Sequence, residues 1–459
     1  MTSPNAGLFK AYDIRGVVDT DLTADAVRQI GRAIGAEARA RGHATVAIGR
    51  DGRLSGPALS AALAEGLQAA GVDVTDIGVC ATPMLYFAVY HLGLAGGVMV
   101  TGSHNPPEYN GLKMVLGGET LAGEAIQGLR QRIEAGDYGT ASASPGSYST
   151  AAIRSAYLER ISHDIKLARP LHVVIDCGNG SPGDTAPELF RRLGCSVTEL
   201  FCEVDGTFPN HHPDPSDPHN LEDLQRELAR GKADIGLAFD GDGDRLGVVT
   251  RTGKVIYPDR QLMLFAADVL GRNPGAEIIF DVKCTRHLYK WIHKNGGRPT
   301  LWKTGHSLIK AKMRETGALL AGEMSGHMFF KERWYGFDDG LYAGARLLEI
   351  LSQVEDIDAV FDALPDSVNT PELQIRVEGR DHHALIAQMQ REATFPAARE
   401  VITLDGLRVE YADGFGLVRG SNTTPVLVLR FEADSAEALA RIQGEFRGVL
   451  AAVGVEAGF

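Results

Sequence analysis

Short apolar runs bounded by turns alternate along most of this chain with longer stretches of helical spacing. Thr45-Val46-Ala47-Ile48-Gly49 reads as a buried strand, Arg50-Asp51-Gly52-Arg53 as a turn, and Ser55 to Ala70 as a helix. His172-Val173-Val174-Ile175-Asp176 repeats the scheme, through Cys177-Gly178-Asn179-Gly180 into a helix from Pro182 to Leu193. Glu277-Ile278-Ile279-Phe280-Asp281 does so again, through Val282-Lys283-Cys284-Thr285 into a further helix. Strand alternating with helix predicts α/β units.

Each unit holds a second apolar strand that ends in a polar loop. Gly96-Gly97-Val98-Met99-Val100 leads to Ser103, Ile235-Gly236-Leu237-Ala238-Phe239 to Asp240, and Gly317-Ala318-Leu319-Leu320-Ala321 to Glu323. Open α/β sheets bind ligands at the carboxyl ends of their strands, so these loops are where chemistry is expected. The spacing is too long and irregular for a solenoid. Glu134 to Thr150 is rich in Gly, Ala and Ser and reads as a linker. Arg251-Thr252-Gly253-Lys254 is a turn near a second break, and Leu364-Pro365-Asp366 with Thr370-Pro371 marks a third. These breaks predict units over 1–149, 150–253, 254–365 and 366–459. The last, with strands at Glu372 to Val377 and Val426 to Phe431 and helical stretches between and after, reads as a smaller α+β unit.

Composition narrows the function. The chain has 459 residues, 44% of them hydrophobic, enough for several units with their own cores. Its formal net charge of −13 and lack of a basic run argue against nucleic acid as a partner. The acidity does not exclude an anionic substrate, because local cations decide that. Five cysteines without a C-x-x-C pair read as reduced thiols of a cytoplasmic protein. Neither a secretion signal nor an apolar run of membrane-spanning length is visible, so no membrane role is expected.

The loops carry specific chemistry. Thr101-Gly102-Ser103-His104-Asn105-Pro106 places a serine hydroxyl at the mouth of a strand, and Pro106-Pro107 ends the run. Asp240-Gly241-Asp242-Gly243-Asp244-Arg245 sets three carboxylates at alternate positions. They converge only if a cation offsets their repulsion, and Mg²⁺ prefers a few carboxylate oxygens plus a phosphate. A calcium-binding EF-hand is excluded, since its sixth position is Arg245 and its twelfth Arg251. In Gly322-Glu323-Met324-Ser325-Gly326-His327, Glu323 and Ser325 suit sugar hydroxyls and His327 a hydroxyl or phosphate. Arg419-Gly420-Ser421-Asn422-Thr423-Thr424-Pro425 combines a guanidinium with hydroxyls and backbone N–H groups, a nest for phosphate. Tyr12, Arg15, Lys113, Arg260, Lys283 and His306 become interesting as lining for a phosphorylated ligand.

These four loops, in this order, resemble the α-D-phosphohexomutase family over essentially the whole chain. Gly102 and Met324 favour its bacterial branch acting on mannose and glucose over the glucosamine branch. The resemblance implies a heart-shaped, four-part arrangement around a central cleft: three similar α/β domains plus a C-terminal α+β domain, each giving one loop. It implies that Ser103 is a phosphoserine and that Asp240, Asp242 and Asp244 bind Mg²⁺ together with its phosphate. Glu323 and Ser325 would contact sugar hydroxyls. Arg419, Ser421, Asn422 and Thr423 would hold the phosphate that is not transferred, and Tyr12, Arg15, Arg260, Lys283, His306 and His327 would line the cleft.

The activity so implied interconverts hexose 1-phosphate and hexose 6-phosphate, with glucose or mannose 1,6-bisphosphate as intermediate and activator, in a monomer. Arg245 and Lys113 would offset charge on the moving group, and Lys113 and His306 are the candidate proton acceptors. One alternative is a phosphoglucosamine mutase. Another is a Mg²⁺-dependent sugar phosphatase with Asp240 as nucleophile, but that class usually has threonine where this chain has Asp244. A sensor of sugar phosphates would not need Ser103 together with three metal carboxylates.

Overall fold

The computed structural model describes residues 3–139, 144–377, 379–422 and 424–459. Among these residues the strands form four sheets. In the first, Asp73–Val79, Thr45–Arg50 and Gly96–Val100 lie side by side and parallel, and Tyr109–Leu116 follows antiparallel. The second repeats this order with Ser196–Leu200, His172–Asp176, Ile235–Phe239 and antiparallel Leu246–Thr250. The third does so with Arg298–Trp302, Glu277–Asp281, Leu320–Gly322 and antiparallel Met328–Phe330. The three α/β units read from the sequence are thus one topology used three times.

That topology positions the chemistry. In each sheet the polar loop joins a central parallel strand to its antiparallel neighbour, so Ser103, Asp240 to Asp244 and Glu323 all sit at the carboxyl end of a covered strand. Gly96–Val100 and Ile235–Phe239 are buried along their whole length, as strands with both faces covered must be. The fourth sheet is antiparallel, and its loop at Ser421 joins Gly414–Gly420 to Val426–Ala433.

Three local expectations change. The helix expected over Pro182 to Leu193 is a short 3-10 turn, Ser181–Asp184, followed by a helix over Ala186–Arg192. Pro187 has no N–H to give inside a longer helix, but fits the first turn of a new one. The strand expected from Gly317 starts at Leu320, because Gly317 at φ 78° closes helix His306–Thr316 in the left-handed region. The stretch read as a linker ends in a strand, Tyr148–Thr150, parallel to Asp73–Val79. The first sheet therefore extends past residue 149, while 140–143 of that stretch lie outside the described residues.

One apolar core runs through the first three units, from Ala47 to Leu364. The C-terminal unit has its own core around Leu407, Phe431 and Phe446. It meets the third unit through a small contact of Val282 with Phe415 and Leu417, and through Arg408, which donates to the Val282 and Cys284 carbonyls.

Candidate active site

The serine loop is held from beneath by an ion pair. Asp51 and Arg53, in the turn after Thr45–Arg50, are both buried. Asp51 accepts from the Thr101 hydroxyl at 2.8 Å and from the Gly102 N–H at 3.1 Å. Arg53 donates to the carbonyls of Ser103 (2.9 Å), Asn105, Pro106 (2.6 Å) and Tyr109 (2.9 Å). Four carbonyls of a tight turn thus gain a partner without a helix or ladder. Ser103 itself stands at φ 49°, a left-handed backbone that costs a non-glycine residue about 1 kcal/mol or more. Glycine at 102 leaves the guanidinium room: a Cβ on it would lie 2.5 Å from the Arg53 Cζ and Nε.

The Ser103 hydroxyl donates to Asp240 Oδ2 at 3.0 Å and lies 3.1 Å from His104 Nδ1. Burial and the Arg245, Arg15 and Lys113 charges push the His104 imidazole well below its usual range. Asp240, Asp242 and Asp244 are fully buried, and each offers an oxygen within 4.8 Å of the others. Lys113, on the strand after the serine loop, reaches Asp242 Oδ2 at 2.7 Å and also bonds Asp244. The Thr82 hydroxyl donates to Asp242 as well. Burial and the charges of Asp244 and Asp242 hold Asp240 well above the usual carboxylate range. Burial opposes ionisation of Asp242 too, but Lys113 and the Thr82 and Ser103 hydroxyls outweigh it and lower its value.

This cluster fits a hard divalent cation. The Oδ1 atoms of Asp242 and Asp244 are buried without a hydrogen-bond partner, which is costly unless something positive faces them.

The third unit closes the other side. Arg245 Nε donates to His327 Nε2 at 3.1 Å, and Arg245 lies 3.9 Å from Asp240. His327 Nδ1 is 3.1 Å from Asp338, which also takes Lys310 Nζ at 2.8 Å. The His306 and His327 rings stack with centroids 5.6 Å apart. Burial and the Lys310 ammonium hold His306 well below its ordinary value. Glu323 is buried and accepts the Gly305 N–H, and burial pushes its carboxyl up to about 7. Ser325 is half-buried in the same loop.

The fourth loop reaches the first unit. The Asn422 amide donates to the Tyr12 hydroxyl, which donates in turn to the Thr304 carbonyl at 2.6 Å. Arg419 pairs with Asp405 at 3.1 Å, and the Ser421 carbonyl faces His382 Nε2 at 2.8 Å. Thr423 lies outside the described residues. Arg15 pairs with Asp13 and donates to Asn105, at the edge of the serine loop. Arg260 and Lys283 sit apart from the carboxylate cluster. They pair with Asp366 and Glu372, at the entrance to the C-terminal unit.

Five contributors have no counterpart in the sequence reading of the site: Asp51, Arg53, Thr82, Lys310 and Asp338. His104 was within the serine motif. Asp51 and Arg53 lie in a segment that reads as a turn and the others in segments without a motif, and only tertiary contact gives them a place here.

Models of the phosphoglucomutase/phosphomannomutase α/β/α domains I, II and III match residues 6–140, 155–253 and 257–368, and the model of that family's C-terminal domain matches 372–449. A phosphomannomutase/phosphoglucomutase of Pseudomonas aeruginosa is 59% identical over 98% of this chain and 96% of its own. The chain belongs to the phosphoglucomutase/phosphomannomutase family. A phosphoglucomutase of Neisseria gonorrhoeae is 58% identical over 98% of both chains. The crystal structure of a member of the family from Burkholderia thailandensis superposes with a TM-score of 0.94 over 100% of both chains, at 58% identity. The resemblance read from the four loops is therefore borne out in family and in architecture, a family of phosphohexose mutases built from three α/β domains and a C-terminal one.

Proposed function

We propose that this chain interconverts the 1- and 6-phosphates of mannose and glucose through a phosphoserine at Ser103 and a hexose 1,6-bisphosphate. The observation that carries this reading is the Ser103 hydroxyl set 3.0 Å from Asp240, in a buried cluster with Asp242, Asp244 and Lys113. When bound by Asp240, Asp242, Asp244 and the phosphorylated Ser103, Mg²⁺ supplies positive charge beside the group in transfer.

The residues divide the work. Ser103 gives its phosphoryl group to the free hydroxyl of a hexose phosphate: the serine P–O bond breaks and a sugar P–O bond forms. Arg245 and Lys113 offset the charge of the moving group. Lys113 is already committed to two carboxylates. His306 is kept neutral by burial and Lys310, so we assign it the sugar hydroxyl proton. Glu323, Ser325 and His327 read the sugar. Arg419, Ser421, Asn422 and Thr423, with Tyr12, Arg15, Arg260 and Lys283 along the cleft, hold the phosphate that stays. The bisphosphate then turns over and returns its other phosphoryl group to Ser103.

The reading includes a monomer, since one chain supplies all four loops, acting on hexose phosphates in the cytoplasm. Among the described residues no helix is long and apolar enough to cross a membrane. The proposed units are 1–149, 150–253, 254–365 and 366–459, with the strand Tyr148–Thr150 crossing the first boundary.

The test is turnover of mannose 1-phosphate, glucose 1-phosphate and glucosamine 1-phosphate with Mg²⁺ and a trace of glucose 1,6-bisphosphate. The proposal expects the first two to isomerise, a phosphate on Ser103 by peptide mass, and no turnover in Ser103→Ala. Preference for glucosamine 1-phosphate, or release of inorganic phosphate without isomer, would overturn it.

A further inference from the structure

Two cysteines outside the proposed chemistry lie together beneath the carboxylate loop. Cys177 follows strand His172–Asp176 and Cys202 lies just beyond the parallel strand Ser196–Leu200. Their Sγ atoms are 3.7 Å apart. Cys177 is buried, whereas Cys202 is half-buried and lines an open cavity of about 590 Å³ with Arg154, Glu188, Arg191 and Glu199. A small oxidant has a route to one sulfur, and the other waits behind it.

The backbone holds the two sulfurs to one another. The Cys177 N–H donates to the Leu200 carbonyl at 3.2 Å and the Asn179 N–H to the Phe201 carbonyl at 2.8 Å. Gly178, Asn179 and Phe201 all have positive φ, so both segments turn sharply here. These turns are over-determined by the bonds between them, as strained positions must be.

The same segment braces the carboxylate loop. The Ser181 N–H and hydroxyl both donate to the Gly241 carbonyl, at 2.9 Å and 3.2 Å. A Cβ on Gly180 would lie 2.8 Å from the Gly241 Cα, and one on Gly241 would lie 2.4 Å from the Ser103 carbonyl oxygen. Backbone packs on backbone from the cysteine turn to the serine, with no flexible side chain to absorb a shift.

We propose that Cys177 and Cys202 are an oxidative modification site that forms a disulfide on exposure to peroxide and thereby misplaces the Asp240–Asp244 loop. The step balances. Cys202 sulfur attacks hydrogen peroxide: an S–O bond forms, the O–O bond breaks, and water leaves with the thiol proton. Cys177 sulfur then attacks the sulfenic sulfur: the S–S bond forms, the S–O bond breaks, and a second water leaves. Two thiols are oxidised and one peroxide is reduced. Bringing the sulfurs from 3.7 Å to the disulfide length of about 2.05 Å takes side-chain rotation and movement of the turn that supports Gly241.

The test uses the full chain and hydrogen peroxide, with dithiothreitol as the reductant. Expected are the loss of the mass of two hydrogens, a linked Cys177–Cys202 peptide, and a fall of hexose phosphate turnover by about 10-fold or more, restored by reduction. Cys202→Ser should keep its basal turnover and lose it far less in peroxide. Both thiols still alkylated after peroxide, or equal loss of turnover in wild type and Cys202→Ser, would overturn the proposal. The mass readout in the wild-type chain stands whether or not the variant folds. It is also independent of the mutase reading.

Discussion

The Arg53 guanidinium donates to the Ser103 carbonyl oxygen at 2.9 Å, and through it the turn of one strand sets the backbone of the next loop. Lysine at this position keeps the charge but cannot fork to the Ser103, Asn105, Pro106 and Tyr109 carbonyls together. Arg53→Lys should lose about 2–4 kcal/mol of stability, because buried carbonyls are left unpaired. Turnover should fall with KM nearly unchanged, since the serine and not the sugar contacts would be displaced. Urea unfolding and steady-state kinetics check both parts.

Gly102→Ala tests the same contact from the other side. The new Cβ meets the Arg53 guanidinium at 2.5 Å, and Arg53 is too fully bonded to move away. A loss of about 1–3 kcal/mol is expected, typical of overpacking. In the Arg53→Lys background the same substitution should cost less, because the slimmer head leaves room. Strict additivity in that double-mutant cycle would show that the two residues do not couple.

Lys113 pairs with two of the three buried carboxylates, Asp242 and Asp244, and offsets their charge where no metal is bound. Lys113→Met should destabilise the metal-free protein by about 3 kcal/mol, the cost of an uncompensated buried charge. Added Mg²⁺ should then raise the unfolding temperature of the variant more than that of the wild type. Turnover should still fall about 100-fold, as loss of one charge donor at a reacting group does. Thermal unfolding in EDTA and in excess Mg²⁺ separates these effects.

Much of this site was legible in the chain because strand periodicity and loop chemistry are local. Ile235–Phe239 and its Asp240–Asp244 loop appear in sequence as they appear in the fold. Arg53 was not legible, because Arg50-Asp51-Gly52-Arg53 reads as a turn and only folding buries it under a loop fifty residues away. Asp338 was missed for the same reason: it follows Phe337 in a polar stretch with no motif, yet it gathers Lys310 and His327. The helix break at Pro187 follows from proline chemistry, which a continuous helix over Pro182 to Leu193 leaves out of account.

Glu323 should make both substrate capture and stability depend on pH, in opposite directions. Burial pushes its carboxyl up to about 7 from the usual 4.5. Between those values the folded chain holds a proton that the unfolded chain has released. Stability from this group is therefore present below about pH 4.5 and is lost as pH rises through about 7. A sugar hydroxyl donates better to the ionised carboxylate, so kcat/KM for a hexose phosphate should rise over the same upper range. Glu323→Gln removes the titration: its unfolding temperature should fall less than that of the wild type between pH 5 and 8, and its lower kcat/KM should rise less. The substrate phosphate titrates nearby, so the ratio of wild type to Glu323→Gln at each pH is the quantity to plot. A ratio that stays flat through pH 7 would mean that Glu323 is already ionised or that the sugar contact lies elsewhere.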